Sequence, residues 1–398
     1  MKSRLPLALL LTAAPVIAAP LAAQWPTASP VAVGLDSTRL AALGADLASG
    51  RYGLVDGFAV VRNGRLVWSE QWRRDYDSVY RAVNPADTVD HQFNYDHPEH
   101  HPWYRRSDLH TLQSVTKSIT SILVGIAIDR GEITSIDTPI VTWFDTTRIR
   151  NLDDRKRRIT LRHILTMTPG IAWNENVPYT DPANSAIQLE ASREWVRYVL
   201  DLPMAAEPGT VWGYNSGASV LMGAILREAT GRPVADYARE HLFGPLGITA
   251  FHWKETPSGE QDTEGGLYLR TEDLAKLAWL YLDGGEWQGR QVVSRGCVEQ
   301  SLAPAEPGPG RGSGYGFQWW VLSTAPREFC AMGVYNEFIY VDPGRGITIV
   351  KLSSNRDYGV KPDEEHAKEL KTIEFLRTVA RSIADAVPEA ERQTGTEG

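Results

Sequence analysis

Ser114-Val115-Thr116-Lys117 puts a hydroxyl and an amine three residues apart at the head of an apolar run. Residues three apart are neighbours on a helix surface, so Lys117 comes within hydrogen-bond reach of Ser114. A serine hydroxyl is a poor nucleophile until a base takes its proton. An amine one turn away, kept neutral by burial and nearby positive charge, would supply that base. Lys117 is the only lysine in the chain with a serine at this spacing. The run that follows, Ser118 to Ile128, is apolar on nearly every side, so the helix is expected to be buried, with Gly131 as its stop. The bland reading is a serine N-cap and a lysine that snorkels to water.

Two further segments could complete such a site. Tyr214 follows Glu207-Pro208-Gly209-Thr210-Val211-Trp212-Gly213 and could pass a proton between Ser114, Lys117 and a leaving group. A nearby ammonium would lower its phenol. Ala331-Met332-Gly333-Val334 precedes a hairpin. The Val334 N–H is assigned to an oxyanion hole with the Ser114 N–H at the helix start. Trp173 is expected to line the pocket, a buried structural tryptophan being the alternative. His91, His97, His100 and His101 crowd one loop, but Pro98 and Pro102 break regular metal-ligand spacing and there is no His-Glu-x-x-His helix. No metal site and no cofactor are expected. There is no Gly-x-Ser-x-Gly elbow.

The elements that must position these residues read in order. Residues 36–50 form an amphipathic helix capped by Asp36 or Ser37. Phe58–Val61 and Leu66–Trp68 flank Asn63-Gly64, a type I′ hairpin signal. Residues 75–108 read as a long loop. Helices are expected at 159–165, 192–201, 219–230 and 271–282, a strand at 315–322, a hairpin of 338–341 with 347–352, and a last helix at 363–386 before a disordered tail. Strands at both ends with helices between imply an α+β fold. A sheet subdomain of about 31–115 and 265–388 would carry an inserted helical subdomain of about 116–264.

The chain has 398 residues and a formal charge of −8. Lys2 and Arg4 precede an apolar stretch from Leu5 to about Ala18, and Ala22-Ala23 offers a cleavage point, so residues 1–23 read as a signal peptide. Export to the periplasm or medium is expected, with no stable membrane insertion. The acidic balance argues against nucleic acid as a partner. The short basic run Arg155-Lys156-Arg157-Arg158 reads as a solvated turn. Cys297 and Cys330 are taken as two free, partly buried thiols, a disulfide being the alternative.

Taken together, these segments resemble the β-lactamase-related serine hydrolases: class C β-lactamases, D,D-peptidases, family VIII carboxylesterases and 6-aminohexanoate-dimer hydrolases. The likeness rests on Ser114-Val115-Thr116-Lys117-Ser118, Leu161 to Gly170, Pro208-Gly209-Thr210, Pro245-Leu246-Gly247-Ile248, Gly265-Gly266-Leu267 and Thr271-Glu272-Asp273-Leu274. It implies a mixed antiparallel sheet flanked by helices, an inserted helical domain and a site in the cleft between. It also implies Ser114 as nucleophile, Lys117 as base and Tyr214 as relay, with Ser216 and Gly333 at the substrate.

Two departures narrow the activity. Ser216 stands where the family has Asn in Tyr-x-Asn. Ala331-Met332-Gly333 stands where β-lactamases have Lys-Thr-Gly, and Ala331 cannot hold a substrate carboxylate. The expected activity is an acyl-enzyme hydrolysis of a small ester or amide, nearest to the 6-aminohexanoate-dimer hydrolase and esterase type. A β-lactamase or D,D-peptidase is the alternative, and an idle peptidoglycan- or ligand-binding module is the alternative of another class. Ester or amide preference and oligomeric state stay open.

Overall fold

The computed structural model describes residues 25–75, 77–78, 103, 106–309, 314–354 and 362–384. The expected signal peptide, His91, His97, His100, His101, most of the 75–108 loop and the tail lie outside them.

Near its N-terminus the chain forms a helix, Ser37–Ala48. The Asp36 side chain caps it by accepting from the N–H groups of Thr38 and Arg39. Strands β1 (Val55–Arg62) and β2 (Arg65–Gln71) follow. Their turn has Asn63 and Gly64 both at positive φ, 49° and 76°, as a type I′ hairpin requires. Near the other end come β8 (Gly314–Tyr315), β9 (Trp320–Thr324), β10 (Arg327–Gly333), β11 (Glu337–Asp342) and β12 (Ile347–Ser353). These seven strands form one sheet in the order β2-β1-β12-β11-β10-β9-β8, every pair antiparallel.

The sheet is buried on both faces. Phe58, Val60, Cys330, Phe338 and Ile349 face the Ser37–Ala48 helix and the terminal Pro362–Ala384 helix. Ala59, Ala331, Ile339 and Val350 face the helices of the middle of the chain. Chief among these are Val115–Asp129, Leu161–Leu165, Trp195–Asp201, Ser216–Thr230 and Thr271–Leu282. All but three residues of Val115–Asp129 are buried.

A second, three-stranded sheet does the local positioning. β3 (His110–Thr111) pairs with β5 (Leu267–Leu269), which pairs with β4 (His252–Trp253). The pairing continues past β3: Leu112 N–H donates to Leu267 O at 3.0 Å, and Leu267 N–H donates to the Thr116 hydroxyl at 3.2 Å. The start of the Ser114 helix is therefore stapled to the segment just after Glu264. A remaining small hairpin joins β6 (Glu286–Trp287) to β7 (Arg290–Gln291).

Three expectations are corrected. The 315–322 strand is broken. β8 and β9 fold back on each other around Gly316–Trp319, with Gln318 at φ 62°. The reason is Gln318 itself. Its amide donates to the carbonyls of Ile164 and Leu165, each at 3.0 Å. Its side-chain oxygen accepts from Ser219, and its carbonyl accepts from Ser118. One residue ties three helices together and has to leave the ladder to do so. Second, Lys156 is not solvated. It is 1% exposed and donates to the carbonyls of Arg150, Leu200 and Leu202. Third, the 219–230 helix begins at Ser216, because the Asn215 side chain caps it by accepting from Ala218 N–H at 2.8 Å. Cys297 and Cys330 are both free thiols.

Candidate active site

Ser114 stands at the N-cap of its helix, but its hydroxyl does not cap it. The residue before it, Gln113, is buried and held at φ 47°, a conformation costly for a side-chain-bearing residue. This turn presents the Ser114 hydroxyl to Lys117 Nζ, which donates to it at 2.9 Å. The Tyr214 phenol lies beside the same hydroxyl, and Lys117 Nζ lies 5.3 Å from the centre of the Tyr214 ring. Segments 100 residues apart thus converge on one oxygen atom. Lys117 is 1% exposed, so the snorkelling alternative does not apply.

The electrostatics differ from expectation in two ways. The charge beside Lys117 is not positive. Glu264 accepts from Nζ twice, through its carbonyl at 2.6 Å and its carboxylate at 3.1 Å. The Tyr214 phenol is not lowered either. Burial pushes it well above its ordinary value, the Glu175 carboxylate adds to this, and only the neighbouring Ser114 hydroxyl opposes it. Tyr214 is thus a neutral phenol suited to donating a proton, not a resting phenolate base.

Glu175 is the functional neighbour that sequence reasoning missed, although it lies two residues from Trp173. Its carboxylate accepts from Ser216 N–H at 2.7 Å, the Ser216 hydroxyl at 2.9 Å, the Trp173 indole at 2.5 Å and the Tyr179 hydroxyl at 3.1 Å. Desolvation raises this carboxyl, against the pull of Lys117 and the Ser216 N–H. Four donors on one carboxylate lock the turn that carries Tyr214 to the 171–190 segment. Ser216, expected at the substrate, is instead 1% exposed and turned onto Glu175. Trp173 packs edge-on against Gly217, where an added Cβ would meet its ring at 2.7 Å.

Gly333 ends β10 beside the approach to Ser114. A Cβ there would lie 2.7 Å from Leu112 O and 3.0 Å from Gln113 Cβ. Only glycine lets the strand come this close, and Val334 is the next residue. The turn beyond it, Tyr335 and Asn336, runs at φ 70° and 77°. It is gripped from the far side of the sheet: Lys351 Nζ donates to Asn336 O at 3.2 Å, and the Thr372 hydroxyl donates to Asn336 Oδ1 at 2.7 Å.

Aromatic rings pack around Tyr214. Tyr214 stacks on Trp320 at 6.4 Å, and Trp320 meets Tyr315 at 5.0 Å and Trp212 at 6.0 Å. The acidic side chains of the site lie beside Lys117: Glu264 contacts Nζ directly and Glu175 faces it, while Glu190 sits behind Glu264 with Lys254 nearby. Arg327 is exposed at the opposite end of β10 from Gly333, about 20 Å away at 3.3 Å per residue, too far to replace the cation that Ala331 lacks. Among the described residues no group of three or more His, Cys, Asp or Glu is placed to hold a metal ion. No described helix is long and apolar enough to cross a membrane.

Comparison with known proteins agrees with this architecture. The Beta-lactamase family model matches residues 42–373, and the chain belongs to that family. It is 27% identical over 305 residues to the 6-aminohexanoate-dimer hydrolase of Paenarthrobacter ureafaciens, covering 70% of this chain and 73% of that one. It is 30% identical over 151 residues to esterase EstB of Burkholderia gladioli, covering 36% of this chain and 38% of the esterase. Among solved structures, a Bacillus anthracis protein provisionally assigned as a 6-aminohexanoate-dimer hydrolase superposes with a TM-score of 0.64 at 21% identity, over 89% of this chain and 88% of that one. The chain is thus a hydrolase of the β-lactamase fold, related at low identity to amide- and ester-cleaving enzymes.

Two outcomes are expected from this geometry. Gly333→Ala should leave the circular dichroism spectrum intact and lower kcat at least ~10-fold, because the added methyl pushes β10 off the Ser114 turn; unchanged turnover would show that the close approach is not needed. Lys351 tests the far side. Burial lowers its ammonium from 10.5 to about 8. Between those values the unfolded chain binds a proton that the folded chain does not, so this group adds stability as pH rises and costs it in full below about 8. Urea unfolding of wild type and Lys351→Met from pH 7.5 to 10 should show wild type gaining on the variant, by at most about 3 kcal/mol. A constant difference would refute the assignment.

Proposed function

We propose that the chain is an exported serine hydrolase that cleaves small esters or amides through an acyl-enzyme on Ser114. The observation that carries this reading is the Ser114 hydroxyl 2.9 Å from Lys117 Nζ, with the Tyr214 phenol beside it. In this mechanism Lys117, once it is an amine, takes the Ser114 proton as Oγ bonds to the substrate carbonyl. The oxyanion forms against the N–H groups of Ser114 and Val334. On collapse the bond to the leaving group breaks, and the Tyr214 phenol protonates the departing atom. Tyr214 recovers its proton from Lys117. Water then repeats the sequence on the acyl-enzyme and restores Ser114.

Substrate charge follows from the cleft. With the Glu175 and Glu264 side chains beside Lys117 and no cation at Ala331, a substrate carboxylate lacks the partner that a strand lysine would give it. Neutral or cationic acyl groups fit, and the partly exposed Tyr214, Trp320 and Trp212 rings offer them apolar contact. Both relatives with matching chemistry, a dimer hydrolase and an esterase, support the reaction class. A penicillin keeps its carboxylate in the acyl-enzyme, where Ala331 offers it no cation.

The test is turnover of p-nitrophenyl acetate, p-nitrophenyl butyrate, 6-aminohexanoate dimer and nitrocefin by the mature protein and by Ser114→Ala. Ester or dimer hydrolysis should fall by ~10³-fold or more in the variant, with nitrocefin slow in both. Activity surviving Ser114→Ala would overturn the nucleophile, fast nitrocefin turnover would favour a β-lactamase, and inertness toward every substrate and toward fluorophosphonate would favour a binding module. Export is tested on the same preparation: protein recovered from the periplasm or medium should begin at or near Gln24, and a cytoplasmic product with Lys2 and Arg4 retained would reject the leader.

A further inference from the structure

The two N–H groups assigned to the oxyanion stand beside backbone that side-chain-bearing residues rarely adopt. Gln113, just before Ser114, is at φ 47°. Tyr335 and Asn336, just after Val334, are at φ 70° and 77°. Three of the nine described non-glycine residues at positive φ thus flank one pair of donors. Such backbone persists only where its surroundings hold it, and it gathers at working sites. Gly333 admits the strand to the Ser114 turn. Glycine is also the least restrained residue in a chain, so the hairpin beyond it needs an anchor of its own.

That anchor comes from the other face of the sheet. The Thr372 hydroxyl donates to Asn336 Oδ1 at 2.7 Å, and Lys351 Nζ donates to Asn336 O at 3.2 Å. Asn336 is therefore held by its side chain and by its backbone at once. Both holders are themselves fixed. Lys351, in β12, is 2% exposed and also donates to the Ser353 hydroxyl at 2.6 Å. Thr372 belongs to the Pro362–Ala384 helix, whose Ile373 and Leu376 are sunk in one core with Phe338 and Tyr340 of β11. Glu337, the residue after Asn336, is fully buried and pairs with Gly333 across the hairpin. The Ser114 helix packs on the opposite face, through Val115 and Ile119.

We propose that Thr372 and Lys351, by clamping Asn336, fix the Val334–Asn336 hairpin so that the Val334 N–H is aimed at the oxyanion formed on Ser114. The inference rests on the reading of Val334 as an oxyanion donor. A donor contributes only when it points at the place where charge develops, about 3 Å away. As Ser114 Oγ bonds to the carbonyl carbon, the carbon–oxygen π pair moves onto the oxygen, and that oxygen accepts from Val334. A hairpin free to swing on Gly333 would miss it. Asn336, Thr372 and Lys351 are positioning residues that act through the Val334 backbone. The terminal helix, more than 250 residues from Ser114 in sequence, thereby becomes part of the catalytic apparatus.

Thr372→Val removes the hydroxyl at nearly constant volume. Asn336→Gly removes the acceptor and suits a φ of 77°. Thr372→Ser and Asn336→Asp keep a hydroxyl and an acceptor oxygen. The experiment combines p-nitrophenyl acetate kinetics, inhibition by phenylboronic acid and amide hydrogen exchange on these variants of the mature protein. Thr372→Val and Asn336→Gly should lower kcat and kcat/KM together by about 10- to 100-fold, with KM within about twofold, as for a contact made only in the transition state. The double variant should be no more than about twofold worse than the poorer single one, because both break the same bond. Phenylboronic acid bonds Ser114 Oγ through boron as the hydroxyl proton leaves, and a borate oxygen takes the oxyanion's place. Its inhibition constant should rise by a similar factor. Exchange should quicken at residues 334–336 and stay unchanged in the Val115–Asp129 helix. Thr372→Ser and Asn336→Asp should keep at least half of the wild-type rate. Wild-type turnover in Thr372→Val, unchanged exchange in the hairpin, a loss confined to KM, or a loss that Thr372→Ser shares equally would each overturn the clamp while leaving the hydrolase reading intact. A wild-type protein inert toward esters, phenylboronic acid and fluorophosphonate would overturn the hydrolase reading, and the clamp's catalytic role with it.

Discussion

The structure turns on one buried amine. Lys117 sits in the first turn of a helix that is otherwise wrapped in apolar side chains. Burying a lysine costs several kcal/mol unless its donors are met and its charge is matched. Everything around the site follows from meeting that demand. One donor goes to Ser114, which fixes the distance between nucleophile and base. The other two go to a single residue, Glu264, which must therefore be brought in with both its carbonyl and its carboxylate correctly aimed. The small β3-β5-β4 sheet exists at this spot to do so: it stitches residues 110–112 to residues 267–269 and leaves Glu264 at the loop just before.

Convergence of this kind needs close backbone approaches, and glycines supply them. Gly333 admits β10 to the Ser114 turn, and Gly223 admits the Thr263 loop to its helix. A side chain at either place would separate elements by more than the tolerance of a hydrogen bond. Buried polar residues then fix what the glycines permit. Gln318 satisfies two open carbonyls at the end of the Leu161–Leu165 helix and two hydroxyls on neighbouring helices. Glu175 gathers four donors around the Tyr214 turn. Each is a fully satisfied polar node, the arrangement that rigidifies a site without leaving an unpaired group.

Much of this was legible in the sequence, and the reasons for the rest are physical. The Asn63-Gly64 turn, the Asp36 cap and the Thr271–Leu282 helix are local facts, decided by residues within one turn of each other, and they stand where periodicity and turn chemistry put them. Ser114, Lys117 and Tyr214 were named from motif spacing and resemblance, and the fold brings them together. What failed to show were properties created by long-range contact. Glu175 and Glu264 look like ordinary acidic loop residues until folding seats them beside Ser216 and Lys117. Lys156 looked solvated inside a basic run, yet the carbonyls of Leu200 and Leu202, more than forty residues on, claim it. Gln318 broke an apparent strand for the same kind of reason. Tyr214 is raised rather than lowered chiefly because folding buries its phenol, with the Glu175 carboxylate adding to the effect, and neither is local to the Tyr214 turn.

Those carboxylates also explain why the departures at Ala331 and Ser216 belong together. A site that holds an anionic substrate needs a surplus of positive charge, which a strand lysine supplies against a modest acidic background. Here the strand lysine is absent, and carboxylates at Glu175 and Glu264 are built in behind the reacting groups. Ser216 is smaller than the asparagine of the family pattern and donates its hydroxyl to Glu175. It serves the clamp that holds Tyr214, and it has no free amide to offer a ligand. The same substitutions that remove contacts to an anion therefore make room for an internal network of acids. That network works against a carboxylate on the acyl part of a substrate in two ways at once, by omission at Ala331 and by repulsion from the cleft. A hydrolase of neutral or cationic acyl compounds can use both changes, whereas a penicillin-recognising enzyme would have to overcome both.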